Sequence, residues 1–305
     1  MAGPFDVESW CGRNAENGEG FMLIKRRNGE LILIEQVVHA HMAAEIAAHW
    51  GNEQFAAPRP QDKACLAAAM HDDGWREPDS IPLFNEKEAR PLHFLEIGME
   101  DHVKLYGRGV DEVFAADPYA GLLVSMHWTG LYRSRWGMQA GRVEFGDNVR
   151  QDEAVLAEEQ RWIDVKRELV RDQRRSDLEL SLWHNYDLLQ TWDLLSLYAC
   201  VCDTVPDDGP VRQVFETLKS IDHVPGVRTI PSVPVSIGGE RVEITLTAVE
   251  RGVVAVDPYP FDVDELTVGV TAKAIPDRRY DSAEEARQAV ASAREEKVGC
   301  RFVRS

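Results

Sequence analysis

Ala64-Cys65-Leu66-Ala67-Ala68-Ala69-Met70-His71-Asp72 is an alanine-rich apolar run that ends in two potential metal ligands. Its composition is that of a buried helix, with Gln61 to Asp72 as the expected span, and Gly74 suits the helix end. The run therefore predicts that an imidazole and a carboxylate are delivered side by side into a helical core. Imidazole nitrogen and carboxylate oxygen together suit Zn, Fe, Mn and similar divalent ions. Further candidates stand at intervals that fit one site shared by several helices: His39, His102, His127 and Asp193.

On the N-terminal side, apolar runs over Phe21–Lys25 and Leu31–Ile34 flank Arg27-Asn28-Gly29-Glu30. Asn-Gly between such runs predicts a β-hairpin. Gln36 to Trp50 reads as a helix closed by Gly51. Gly74 to Phe94, rich in Pro, Asp and Glu, is too long for an idle connection and is expected to form a lid or pocket wall. Leu95 to Tyr106, Pro118 to Arg135 and the charged stretch Asp152 to Arg175 read as helices, the last with an amphipathic stripe. Leu178 to Cys202, apolar on most faces, is expected at the centre. Beyond Pro206 the pattern turns to strands at Val233–Ile237, Arg241–Ala248, Val253–Val256 and Leu266–Ala272. Ser282-Ala283-Glu284-Glu285 has the spacing of a capping box and opens a last helix expected to end near Glu296, with Cys300–Val303 as a final strand.

The chain of 305 residues is long enough for a full core. Its formal charge of −18 argues against a general nucleic-acid binder. No stretch approaches a membrane span, and residues 1–20 are polar without an apolar signal core, so a cytoplasmic location is expected. The five cysteines form no C-x-x-C pair and read as reduced thiols.

The order His, His-Asp, His, His, Asp resembles the HD superfamily of metal-dependent enzymes. Ala67-Ala68-Ala69-Met70-His71-Asp72-Asp73-Gly74 is similar to its central motif. His39 with Ala43-Ala44-Glu45-Ile46-Ala47 resembles its first helix, and Trp192-Asp193-Leu194-Leu195-Ser196 the helix of its last ligand. At finer grain, three stretches resemble an uncharacterised bacterial family, the domain of unknown function 3891. They are His71-Asp72-Asp73-Gly74-Trp75, Asp117 to His127, and Leu189 to Leu197. The resemblance runs from about Phe21 to about Arg301.

It implies an α+β, mostly helical fold: an HD-type bundle with a small antiparallel β layer made by the N-terminal hairpin and the C-terminal strands. Residues 21–220 would form the metal-binding domain, and residues 221–305 a β-rich segment packed on the same domain. His39, His71, Asp72 and Asp193 would hold a first metal. His102 and His127 would hold a second, with Asp72 bridging the two. Asp73 would act on a water proton or hold a ligand imidazole. The cofactor expected is one or two of Fe, Mn, Zn or Ni, with no organic cofactor indicated.

Many superfamily hydrolases carry Lys where this chain has Trp75, so a phosphate contact would have to come from elsewhere. Arg76, Lys104 and Arg133 are the cationic candidates, with Trp75, Trp128 and Tyr132 as aromatic pocket walls. The expected function is metal-assisted hydrolysis of a phosphate ester of a small molecule. A mixed-valent di-iron oxygenase acting on a small polar metabolite is the alternative, and a non-catalytic metal-binding module the third reading. No nucleic-acid or membrane partner is expected, and the oligomeric state is not set by the sequence.

Overall fold

The computed structural model describes residues 23–76, 82–133, 149–201, 222–224 and 227–305. The polar segment 1–20, Phe21, Arg135 and the Pro206 boundary fall outside them. β1 (Leu23–Arg27) and β2 (Glu30–Ile34) pair with Arg27 opposite Glu30, so Asn28-Gly29 is a two-residue loop. Both loop residues have positive φ, 54° and 80°, the geometry that Asn-Gly adopts at low cost.

Five longer helices follow: α1 (Gln36–Ala48), α2 (Gln61–Met70), α3 (Met99–Ala116), α4 (Pro118–Tyr132) and α5 (Val149–Leu169). Between α2 and α3 lie a 3-10 turn at Asp73–Trp75, the short strands β3 (Phe84–Asn85) and β4 (Arg90–Pro91), and a second 3-10 turn at Phe94–Glu96. The central helix α6 spans Arg175–Val201. The α4 start is fixed locally. The Asp117 carboxylate accepts from the Tyr119 and Ala120 amides, and Pro118 takes the first helical position.

The remaining elements are β5 (Asp222–Val224), β6 (Val227–Pro234), β7 (Arg241–Glu250), β8 (Val253–Asp257), β9 (Glu265–Pro276), α7 (Ala283–Ala291) and β10 (Arg294–Arg304). They join the N-terminal hairpin in one eight-stranded sheet of order β1-β2-β9-β10-β8-β7-β6-β5. All pairings are antiparallel except β8 with β10, where Arg301 to Arg304 run parallel to Val253 to Val256.

This sheet overturns the expectation of an HD-type bundle with a small antiparallel β layer. The sheet is large and mixed, and α1 and α6 pack on its strands as well as on other helices. β9 and β10 run well beyond the expected Leu266–Ala272 and Cys300–Val303, and β6 spans Val227–Pro234 in place of the expected Val233–Ile237. β9 alternates buried and more exposed residues over its first ten positions, and β10 does so through Val298, Cys300 and Phe302. Arg294 to Glu296, expected at the end of the last helix, are the first residues of β10; α7 stops at Ala291.

Both faces of the hairpin end of the sheet are covered. Leu23, Ile32 and Ile34 belong to the main core with α1 and α6. Ile24, Leu31 and Leu33 face the other way, onto Ile275, Tyr280, Ala286 and Val290 beside α7. That is why Leu31–Ile34 is an unbroken apolar run.

One close approach sets the distance between α3 and the turn after α2. A Cβ on Gly109 would lie 2.5 Å from the Gly74 backbone nitrogen, and one on Gly74 would lie 2.2 Å from the Leu105 carbonyl oxygen. Backbone thus packs on backbone immediately after Asp72-Asp73. Gly109→Ala should cost about 1–3 kcal/mol in denaturant unfolding. It should also weaken divalent-ion binding, because α3 would have to retreat from the turn; metal titration of the folded variant checks this.

Candidate metal centre

His39 sits on the first turns of α1, His71 caps α2, Asp72 follows it, and Asp193 lies two-thirds along α6. All four are buried. His39 Nε2 is 3.2 Å from Asp193 Oδ1 and 3.4 Å from Asp72 Oδ2. His71 Nε2 is 3.5 Å from Asp193 Oδ1 and 3.6 Å from Asp72 Oδ2. His127, on α4, places Nε2 at 3.8 Å from Asp193 Oδ2. Two groupings can each hold an ion: His39, His71 and Asp72, and His71, His127 and Asp193.

The far side of each imidazole is tied down. His71 Nδ1 donates to the Ala68 carbonyl at 2.8 Å. Ser196 Oγ donates to the Asp193 carbonyl at 2.8 Å, so it accepts from His39 Nδ1 at 2.7 Å. Both Nδ1 atoms therefore carry the hydrogen, and both Nε2 lone pairs point at carboxylate oxygens. Lone pairs facing lone pairs repel, so protons or a cation must lie between them. His71 Nε2 has no hydrogen-bond partner, although it is buried. The donor set, two imidazoles and two carboxylates with oriented outer partners, fits a divalent transition metal.

The electrostatics agree. Burial alone would lower the His39 and His71 pKa values, but the Asp72 and Asp193 carboxylates reverse that, raising His39 and pushing His71 up to about 9. Burial would raise both carboxyls, yet the facing imidazoles hold Asp72 low and Asp193 well below the usual range. His127, farther from charge, is dominated by burial and falls to about 4.

The group forms one end of a cavity of about 390 Å³. His102 and Tyr106, one turn apart on α3, also line it. The Tyr106 hydroxyl donates to Asp72 Oδ1 at 3.0 Å, and His102 Nδ1 is hydrogen-bonded to the Tyr132 hydroxyl. His102 lies outside both groupings able to hold an ion. Tyr106 donates to Asp72 Oδ1, and Asp72 Oδ2 faces His39 and His71, whereas Asp193 turns Oδ1 to His39 and His71 and Oδ2 to His127.

Asp73 does not line the cavity. Its Oδ1 accepts from Arg76 at 2.8 Å, and burial pushes its carboxyl up to about 6. Of the six expected substrate contacts only Tyr132 is in the wall. Arg76 serves Asp73, exposed Lys104 pairs with Glu100 and Asp101, and buried Arg133 pairs with Glu159. Trp75 stands behind the wall, edge-on to His102 and Tyr106, and Trp128 packs edge-on to Tyr132. The expected wall from Gly74 to Phe94 contributes Phe94, and Ile97 and Met99 follow it.

The wall also holds Gln36, Tyr106, Leu131 and Leu197, which the ligand pattern alone does not single out. Helical arithmetic reaches all four: Gln36 is three residues before His39, Tyr106 four after His102, Leu131 four after His127, and Leu197 four after Asp193.

Fold and site together define a mixed-sheet α+β protein with a buried His/Asp group able to hold a metal ion. The family described as "Protein of unknown function (DUF3891)" matches residues 22–277, and the chain belongs to it. No curated protein and no solved structure matches the chain. Among the described residues no helix is long and apolar enough to cross a membrane.

Tyr106→Phe and Ser196→Ala each remove one outer hydrogen bond. Each should lower divalent-ion affinity about 10–100-fold while leaving the chain folded, as read by competition with a chromophoric chelator. Because His39 and His71 hold protons that an ion must displace, ion uptake at pH 7 should release about one to two protons per ion and should weaken as the pH falls. Indicator absorbance in weak buffer measures this.

Proposed function

We propose that this protein is a metal-dependent hydrolase acting on an ester of a small molecule. The observation that carries the reading is the close approach of His39 from α1, Asp193 from α6, and His71 and Asp72 from the end of α2, beside an open cavity. A purely structural ion would need no cavity beside it. The ligand order along the chain, His, His-Asp, Asp, is the one expected from the HD-superfamily resemblance, and many members of that superfamily are phosphohydrolases.

His39, His71, Asp72 and Asp193 would hold the ion, with His127 adjacent. When bound, a divalent ion lowers the pKa of water and stabilises developing negative charge on oxygen. The chain's own residues do the rest. Ser196 and the Ala68 carbonyl fix the tautomers of His39 and His71. Tyr106 fixes the Asp72 carboxylate. His102, hydrogen-bonded to Tyr132 and lining the cavity, is lowered to about 4 by burial, so it would be a neutral acceptor for the water proton on its way to the departing oxygen. In such a hydrolysis the water oxygen bonds to the central atom of the ester, the bond to the leaving oxygen breaks, and the water proton ends on that oxygen. No redox partner is required.

A second reading rests on Asp193, whose two oxygens serve different histidines. That arrangement suits two ions, and with two irons it would suit a mixed-valent oxygenase. Elemental analysis of protein purified without added metal, with an EPR spectrum, separates the two: two irons and a mixed-valent signal would replace the hydrolase.

His102→Gln should cut kcat of ester hydrolysis about 10²–10⁴-fold with metal content unchanged. His127→Ala should leave one ion per chain if the centre is dinuclear, and the wild-type content if it is not.

A further inference from the structure

The cavity wall is mostly apolar, with Phe94, Ile97, Met99, Leu131 and Leu197 lining it beside the His/Asp group. Among the described lining residues there is no Lys or Arg. Three cations near the site in sequence are engaged elsewhere, Arg76 with Asp73, Arg133 with Glu159, and Lys104 with Glu100 and Asp101 at the surface.

The charge balance follows. Asp72 and Asp193 supply two negative charges, which one divalent ion neutralises. A phosphate dianion, or a nucleotide with several phosphates, would enter a site with little positive charge left to receive it, and burying such charge unpaired is costly. An apolar wall favours the opposite kind of molecule.

We propose that the cavity binds a small molecule with an apolar body and a single uncharged or singly charged polar head. The head lies at the His/Asp end and the body between Phe94, Ile97, Met99, Leu131 and Leu197. The inference rests on reading the His/Asp group as the reaction centre. It narrows the substrate to an ester of a mainly apolar acid or alcohol. The volume, about 390 Å³, equals roughly 13 waters at ~30 Å³ each, room for about a dozen non-hydrogen atoms.

The test is calorimetric titration of the full chain, with the ion it purifies with and again after chelator treatment. The probes are 1-hexanol, hexanoate, inorganic phosphate and glycerol phosphate. The first two should bind the ion-bearing chain at least tenfold more tightly than the last two. Met99→Trp, at a position 43 % exposed on the wall, should weaken the six-carbon probes tenfold or more. Leu131→Trp should do the same.

Tighter binding of phosphate than of hexanoate would overturn the proposal, as would six-carbon probes indifferent to both tryptophan variants. Metal uptake is read separately. A chain that takes up no ion but binds 1-hexanol in a Met99-dependent way would end the hydrolase reading and keep the cavity's preference. A chain that holds its ion but binds neither six-carbon probe would do the reverse.

Discussion

Two carboxylates buried beside imidazoles whose outer nitrogens are already committed form the constraint on which the rest of this structure depends. Asp72 and Asp193 cannot sit in a helical core uncompensated, since the loss of hydration would exceed what neutral neighbours return. Protons on His39 and His71 supply one form of compensation, and a divalent cation supplies another with more charge at a single point. Either way the helices that carry the four residues must meet at a fixed distance, and the packing around them reads as a set of devices for holding that distance.

The largest device is the sheet. β2 ends at Ile34 and α1 begins at Gln36, so His39 is joined to a strand buried on both faces through a single residue, Glu35. α6 lies on the same sheet, with contacts to β1, β6, β9 and β10, and carries Asp193 toward α1. On the other side, the Gly74–Gly109 contact lets α3 come close enough for Tyr106 to reach Asp72. The same contact brings His102 to the cavity. Ion chemistry and cavity shape are therefore set by one packing arrangement.

The parts of this design that were legible in the sequence are those with local signatures. Asn28-Gly29 specified its turn, Asp117-Pro118 its helix start, and the alanine-rich run before His71 its burial. The grouping of His39, His71, Asp72 and Asp193 was legible through the resemblance of the stretches around them to HD-superfamily motifs. The size of the sheet was not. β10 begins with Arg294-Glu295-Glu296-Lys297, whose charge suits a helix end, and its strand identity rests on pairing with β9, ten registered residues that no local pattern displays. Arg76, Lys104 and Arg133 stand near the motifs in sequence, but each pairs with an acidic neighbour and none lines the cavity.

The strand order has a consequence for how the chain is made. β9 touches β2 and β10, β8 touches β7 and β10, and β8 and β9 do not pair with each other. Before β10 is synthesised the sheet can exist only as two unconnected pieces, one built on the N-terminal hairpin and β9, the other on β5 to β8. The last of the ten strands is the seam between them, and every contact it makes with β9 or β8 closes a long loop. The α1 end of the ion-binding group stands on the first piece, while α6 also leans on β6 in the second. A nascent chain therefore carries all of its ligand residues long before it has the surface that holds them in register.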